Sequence, residues 1–292
     1  MLPLRSTQGQ PKRLRVEPAS PVAELVKPPA YGASVSPEDF VAAFRADPSK
    51  AAVITDFDGT LSPIVADPAA AVPLVGVVDT LHALAARFGR VAVVSGRPVA
   101  FLRERLELES RPPSALVLSG LYGIERLDGG VHTVDETALG FRSAVEQVAM
   151  LADADAPPGV GVERKGLSVT LHVRTAVDQD RWARSWAESA ATAHGLVVHE
   201  GRMSFELRPP VALDKGTVVR SLIEGMAAAC FLGDDQGDLP AFDALSQLAT
   251  STGATVVRIG VRSSEAPPAL LERSDLVVDG PAGSLELLRR LL

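Results

Sequence analysis

The sequence predicts an α/β fold, a Rossmann-like doubly wound parallel sheet carrying an inserted small α/β cap domain. Three observations predict it. Short apolar runs recur along the chain, each ending in Gly, Ser or Asp. Stretches of helical pattern separate them, as expected of strands buried on both faces. In the middle of the chain the pattern changes to strict period-two alternation, the mark of a sheet with one covered face.

The elements follow in order. Residues 1–35 are rich in Pro, Ser and Arg without sustained periodicity and read as a disordered N-terminal tail. Ser36-Pro37-Glu38 reads as a helix start, with Ser as N-cap and Pro in the first turn. Phe40, Val41 and Phe44 give that helix an apolar face. Ala51 to Ile54 is the first strand and runs into Asp56. A helix over about Leu74 to Phe88 leads to a strand at Val91 to Val94, ending in Ser95-Gly96-Arg97. A helix near Ala100 to Leu106 precedes a third strand, Ala115 to Leu118. The pattern resumes late, with Ala227 to Leu232 running into Gly233-Asp234-Asp235, then strands at Thr255 to Ile259 and Leu276 to Val278.

Between these halves lie a helix over Thr137 to Leu151, strands at Val160 to Glu163 and Leu167 to Arg174, a helix over Arg181 to Ala193, and strands at Leu196 to His199 and Met203 to Arg208. Leu167, Val169, Leu171 and Val173 alternate with Ser168, Thr170, His172 and Arg174; Phe205 and Leu207 alternate with Glu206 and Arg208. The expected organisation is therefore a core of residues 36–128 and 211–292, with a cap of residues 129–210 inserted in it.

Composition narrows the classes of function. Hydrophobic residues make up 46% of the 292 and charged residues 22%, enough apolar material for a sizeable core. A net charge of -7 carries no basic footprint, so nucleic acid is not an expected partner. No apolar run approaches the ~20 residues of a membrane span, and the basic N-terminus lacks the apolar segment of a secretory signal. The lone Cys230 fits a reducing, cytoplasmic setting without disulfides. The sequence sets no oligomeric state.

In a doubly wound sheet, ligands bind beyond the carboxyl ends of the strands. Asp56-Phe57-Asp58-Gly59-Thr60, Ser95-Gly96-Arg97 and Gly233-Asp234-Asp235 all follow strands, so they are expected on one edge. Clustered carboxylates repel unless a proton or cation intervenes. A hard cation with oxygen ligands, Mg2+ above all, suits Asp56, Asp58 and Asp234. Gly59 allows the turn that brings Asp56 and Asp58 to one site. One carboxylate can attack phosphorus and the other can protonate the leaving oxygen. Lys215, opening a helix over Lys215 to Leu222, and Ser95 can stabilise charge on a transferring phosphoryl group.

DFDGTLSP, VVSGRP, DKG and GDDQGD, in that order, resemble the four signature motifs of the haloacid dehalogenase (HAD) superfamily. The resemblance implies Asp56 as nucleophile, Asp58 as acid/base, and Ser95, Gly96 and Lys215 as phosphate binders. It further implies Asp56, Asp58 (through its carbonyl) and Asp234 as Mg2+ ligands, with Gly59, Thr60, Asp235 and Asp238 in support. GLYGIE, VERKGLSVTLHVR, HEGRMSFELRP and DKG are similar to the trehalose-6-phosphate phosphatase family, whose cap lies between the second and third motifs. That resemblance implies a small-molecule sugar phosphate as partner, trehalose 6-phosphate in trehalose biosynthesis, with Glu163, Lys165 and Glu200 holding the sugar. The family often has His where Tyr122 stands, and Thr where Gly237 stands.

Plainer readings stand beside these. Asp-Gly is a common turn signal, and Ser168, Thr170, His172, Arg174, Glu206 and Arg208 are either the wet face of a sheet or its ligand-facing side. Sucrose 6-phosphate or a glucosyl or mannosyl phosphoglycerate is the alternative substrate. A catalytically idle regulatory relative is disfavoured because Asp56 and Asp58 are both present. His172 and His199 lack metal-ligand spacing, so no zinc site is expected.

Overall fold

The computed structural model of the protein describes residues 35–65, 67–111, 115–264 and 266–292. Residues 1–34 of the expected tail lie outside the described residues. The chain enters through Val35, whose amide donates to the Asp275 carbonyl at 2.9 Å. Helix α1 (Pro37–Ala46) starts where the sequence places it: the Ser36 hydroxyl accepts from the Asp39 amide at 3.1 Å.

The alternation of strand and helix then unfolds as β1 (Ala51–Thr55), α2 (Val77–Ala85), β2 (Arg90–Val94), α3 (Val99–Arg105) and β3 (Leu116–Gly120). A hairpin, β4 (Glu125–Asp128) and β5 (Val131–Val134), follows. The middle of the chain forms α4 (Glu136–Leu139), α5 (Arg142–Asp155), β6 (Gly161–Arg164), β7 (Val169–His172), α6 (Asp180–His194), β8 (Val197–Gly201) and β9 (Ser204–Arg208). The last part is α7 (Lys215–Ile223), β10 (Ala228–Gly233), α8 (Leu239–Thr252), β11 (Thr255–Arg262), α9 (Pro268–Glu272), β12 (Leu276–Asp279) and α10 (Gly280–Arg289).

Eight strands make one sheet in the order β12-β11-β10-β1-β2-β3-β4-β5. The pairs from β12 to β3 are parallel, and the pairs β3–β4 and β4–β5 are antiparallel. The central strand is buried along its whole length, and its side chains divide between two layers. Ala51 and Val53 join Phe40, Phe44, Leu81 and Leu288 on one face. Ala52 and Ile54 join Val219, Leu222, Phe242 and Leu245 on the other. Each buried Val, Leu or Phe contributes roughly 1.5–3 kcal/mol, so the double-sided apolar strands dominate the stability of this sheet.

The hairpin is the main departure from the sequence reading. The expected boundary at 128/129 falls at its turn, Gly129–Gly130, and β5 still belongs to the large sheet. Its side chains are exposed but for half-buried Val134, so no apolar pattern announces this strand. Helices α8 and α10 likewise fill stretches in which only the strands stood out.

The second sheet is fully antiparallel, ordered β6-β7-β9-β8. One face is apolar: Val169, Leu171, Phe205 and Leu207 pack with Val145, Val148, Ala183 and Ala187 of α5 and α6. The other face carries the polar alternates. It is not a wet face: Ser168, Thr170 and Glu206 are buried. That face is turned toward the carboxyl edge of the large sheet.

Candidate active site

Three strands deliver the acidic and hydroxyl groups to one place. β1 ends at Thr55 just before Asp56, β10 at Gly233 before Asp234, and β2 just before Ser95; β10 and β2 flank β1 in the sheet. This is where strand order reverses, the position at which open α/β sheets bind ligands. Gly59 makes the turn after Asp58 with φ +73°, and a Cβ there would stand 1.9 Å from an Asp234 carboxylate oxygen. Only glycine allows that approach. The Thr60 hydroxyl donates to Asp234 Oδ1 at 3.3 Å.

Lys215 opens α7 behind Asp214, whose side chain accepts from the Thr217 amide at 2.7 Å. Its ammonium is buried between two carboxylates, 2.9 Å from Asp56 Oδ1 and 2.7 Å from Asp238 Oδ1. Asp238 Oδ2 also accepts from the amides of Asp234 and Asp235 at 3.0 and 3.1 Å. Asp235 itself is exposed and caps the turn that follows β10.

One cation faces several acids here. Burial, partly offset by Lys215, pushes the Asp56 carboxyl up to about 6. Burial and the charges of Asp56, Asp238 and Asp235 push Asp234 up to about 9. Burial raises Asp238 as well, while the adjacent carboxylates overcome the desolvation of Lys215 and raise it well above the ordinary lysine value. Ligand oxygens of Asp56, Asp234 and Asp238 lie within 4.8 Å of one another. An all-oxygen, electron-rich, buried donor set with too little positive charge of its own fits a hard divalent cation. Because Asp238 is already engaged by Lys215 and two amides, Asp56 and Asp234 are the side chains available to such an ion.

Asp58 stands at the mouth. Arg97 clasps it in two-pronged fashion, Nε to Oδ2 at 2.7 Å and Nη2 to Oδ1 at 2.8 Å. The third nitrogen, Nη1, reaches Glu163 Oε1 of β6 at 3.0 Å. Arg97, which the sequence reading left without a role, thus joins the two sheets. Ser95 Oγ accepts from the Arg97 amide at 3.2 Å, shaping the turn that also holds Gly96.

The inserted sheet contributes a row of polar groups. Register pairs Glu163 with Thr170, Thr170 with Glu206, and Glu206 with His199, so all four share the face toward the large sheet. Lys165 Nζ lies 3.7 Å from Glu163 Oε2 and 3.4 Å from Glu206 Oε1. Ser168 donates to the same Glu206 oxygen at 2.6 Å, and His172 Nε2 lies 2.8 Å from Glu163 Oε2. Burial would raise the Glu163 carboxyl, but the His172 bond and the charges of Lys165 and Arg97 hold it down at about 2. Glu163, Lys165, His172 and Arg174 line the same cleft as Asp56, Asp58, Ser95 and Lys215.

Glu200 is different. It pairs in register with Phe205 and so shares the apolar, helix-covered side of its sheet. Its exposed carboxylate pairs with Arg184 of α6, and with His199 it lines a second opening that shares Tyr122, Lys215 and Asp235 with the cleft. The structure does not bring it to Glu163 and Lys165; the nearby acid that does meet them is Glu206. Register decides this. His199 occupies the site-facing position of β8, and a one-residue step turns Glu200 away.

The parallel sheet with its aspartate-bearing central strand and helices on both faces is the fold of the HAD-type hydrolases. The chain belongs to the trehalose-phosphatase family, whose sequence model matches residues 54–273. A trehalose-phosphate phosphatase of Mycolicibacterium paratuberculosis is 36% identical over 251 residues, covering 82% of this chain and 61% of the relative. One from Mycobacterium marinum is 38% identical over 226 residues, 73% of this chain and 54% of the relative. The chain thus spans a little over half the length of these curated relatives. The C-terminal domain of Candida albicans trehalose-6-phosphate phosphatase has the same fold, with a TM-score of 0.71 at 21% identity, covering 90% of this chain and 98% of that one. Among the described residues no helix is long and apolar enough to cross a membrane.

Proposed function

We propose that the protein hydrolyses trehalose 6-phosphate to trehalose and phosphate with Mg2+ as cofactor. The observation that carries the reading is the Asp56–Lys215–Asp234 centre roofed by a polar sheet face. Asp56 is the nucleophile. Its oxygen bonds to phosphorus as the bond from phosphorus to the sugar oxygen breaks, and Asp58 delivers a proton to that oxygen. Asp58 then takes a proton from the water that attacks phosphorus, releasing phosphate and the free Asp56 carboxylate. Lys215, Ser95 and the Gly96 amide hold the phosphoryl oxygens. Asp56, Asp234 and the Asp58 carbonyl would hold Mg2+, which supplies positive charge against the phosphoryl oxygens. Asp58 reaches the leaving oxygen only once Arg97 gives up one of its two bonds.

The inserted sheet acts as the cap. Glu163 and Glu206 accept from sugar hydroxyls and Lys165 donates to them. This assigns Glu206 the place that the family resemblance gave to Glu200. A cytoplasmic setting fits the free, buried thiol of Cys230. The test is a phosphate-release assay over trehalose 6-phosphate, sucrose 6-phosphate and glucosyl and mannosyl phosphoglycerate, with and without Mg2+. Preference for trehalose 6-phosphate is expected; preference for another member of the panel overturns the substrate, and equal release in excess chelator overturns the metal.

A further inference from the structure

Tyr122 is held in a backbone conformation that residues with a Cβ disfavour. Tyr122 and Leu121 both have positive φ, 57° and 49°. Two hydrogen bonds hold them there. The Leu121 amide donates to the Arg97 carbonyl at 3.0 Å, and the Tyr122 amide donates to the Ser95 carbonyl at 3.1 Å. Both acceptors belong to the Ser95-Gly96-Arg97 turn. The strained pair is therefore fastened to the segment that faces the phosphoryl group.

The strain places the phenol. A Cβ added to Gly96 would stand 2.7 Å from both the hydroxyl oxygen and the ring carbon that bears it. The tip of Tyr122 thus fills the space that a side chain at Gly96 would take. Its ring is wedged between the two sheets, with the Arg208 guanidinium 5.1 Å from the ring centroid and the His199 ring at 5.6 Å. The residue lines the same cleft as Asp56, Ser95, Lys215 and Asp234. No hydrogen bond joins its hydroxyl to the described residues. Tyr122 is half-buried and its hydroxyl is open to the cleft rather than sealed in the core; burial raises it well above the usual tyrosine value, so it remains a proton donor. An acceptor supplied by the ligand completes it, and the adjoining Ser95, Gly96 and Lys215 converge on a phosphoryl group.

We infer that the Tyr122 hydroxyl donates a hydrogen bond to a non-bridging oxygen of the transferring phosphoryl group, making Tyr122 a further catalytic residue. The inference rests on the phosphatase reading above. Placed by strain beforehand, the donor needs no reorganisation when charge develops on those oxygens.

Tyr122→Phe tests it, because the variant keeps the ring and its Arg208 contact and removes only the hydroxyl. A hydrogen bond to a charged group predicts a loss in kcat/KM of about ten- to a hundredfold. The loss should be the same for trehalose 6-phosphate and for para-nitrophenyl phosphate, which has no sugar. The inhibition constant of orthophosphate should rise by a similar factor, and it is independent of how much of the variant preparation is active. Unchanged rates and an unchanged inhibition constant overturn the assignment. So does a loss confined to trehalose 6-phosphate, which would place the hydroxyl on the sugar. If the wild type releases phosphate from neither ester, the phosphatase reading fails, and calorimetric titration of orthophosphate into wild type and variant still decides whether the hydroxyl binds the anion.

Discussion

Arg97 and Glu163 form an ion pair at 3.0 Å that joins the turn after β2 to the edge strand of the inserted sheet. The same guanidinium holds both oxygens of Asp58, so one side chain connects the proposed acid/base to the proposed sugar-binding face. A lysine carries the charge but not the planar fork. Arg97→Lys is therefore expected to lower kcat/KM for trehalose 6-phosphate by about ten- to a hundredfold, the worth of one or two charge-assisted hydrogen bonds. Steady-state kinetics at saturating Mg2+ would show it; wild-type kinetics would mean that the fork is dispensable.

Asp56→Asn should abolish turnover while the fold persists, since the amide keeps the shape but is no nucleophile. Circular dichroism would report the fold. Beryllofluoride, a mimic of the aspartyl-phosphate, should bind wild type and not the variant. Appreciable phosphate release by Asp56→Asn would sink the covalent mechanism.

Glu206 and Glu200 can be separated by substitution. Glu206 is buried against Lys165 and Ser168, whereas Glu200 is an exposed partner of Arg184. Glu163→Ala, Lys165→Ala and Glu206→Gln should each lower kcat/KM for trehalose 6-phosphate by about one to two orders of magnitude. Their hydrolysis of para-nitrophenyl phosphate should change far less. Glu200→Ala should stay within about twofold of wild type, as exposed ion pairs contribute little. A large, sugar-specific loss at Glu200 would restore the sequence-based assignment.

The carboxylate centre predicts a pH-dependent benefit from Mg2+. Asp234 is raised to about 9, well above an unfolded aspartate. A raised carboxyl favours the protonated folded state, so the cost of ionising it is absent at low pH and grows as pH climbs toward 9. A bound cation removes that cost. The rise in Tm on adding Mg2+ to chelator-treated protein should be larger at pH 8 than at pH 5.5 by about 4 °C or more, corresponding to about 1–2 kcal/mol. An equal rise at both pH values, measured by differential scanning calorimetry, would mean that Asp234 is not the linked group.

The sequence by itself determined the layered α/β class and the residues at the strand ends. Doubly buried strands must be short and apolar, and the polar residues that break them must lie at the sheet edge, so Asp56, Ser95 and Asp234 were legible as neighbours. The N-cap at Ser36 and the helix opened by Lys215 were legible for the same local reason. Tertiary structure decided the rest. Strand β5 is exposed but for half-buried Val134 and leaves no apolar trace. The polar face carrying Ser168, Thr170 and Glu206 reads like a wet surface until the large sheet covers it. Whether Glu200 or His199 shares the sheet face of Glu206 depends on a one-residue register, set by the pairing of β8 with β9 rather than by either residue's type. Arg97 and Tyr122 gained their places only when distant segments closed on the turn between β2 and α3, because such contacts depend on packing and not on sequence spacing.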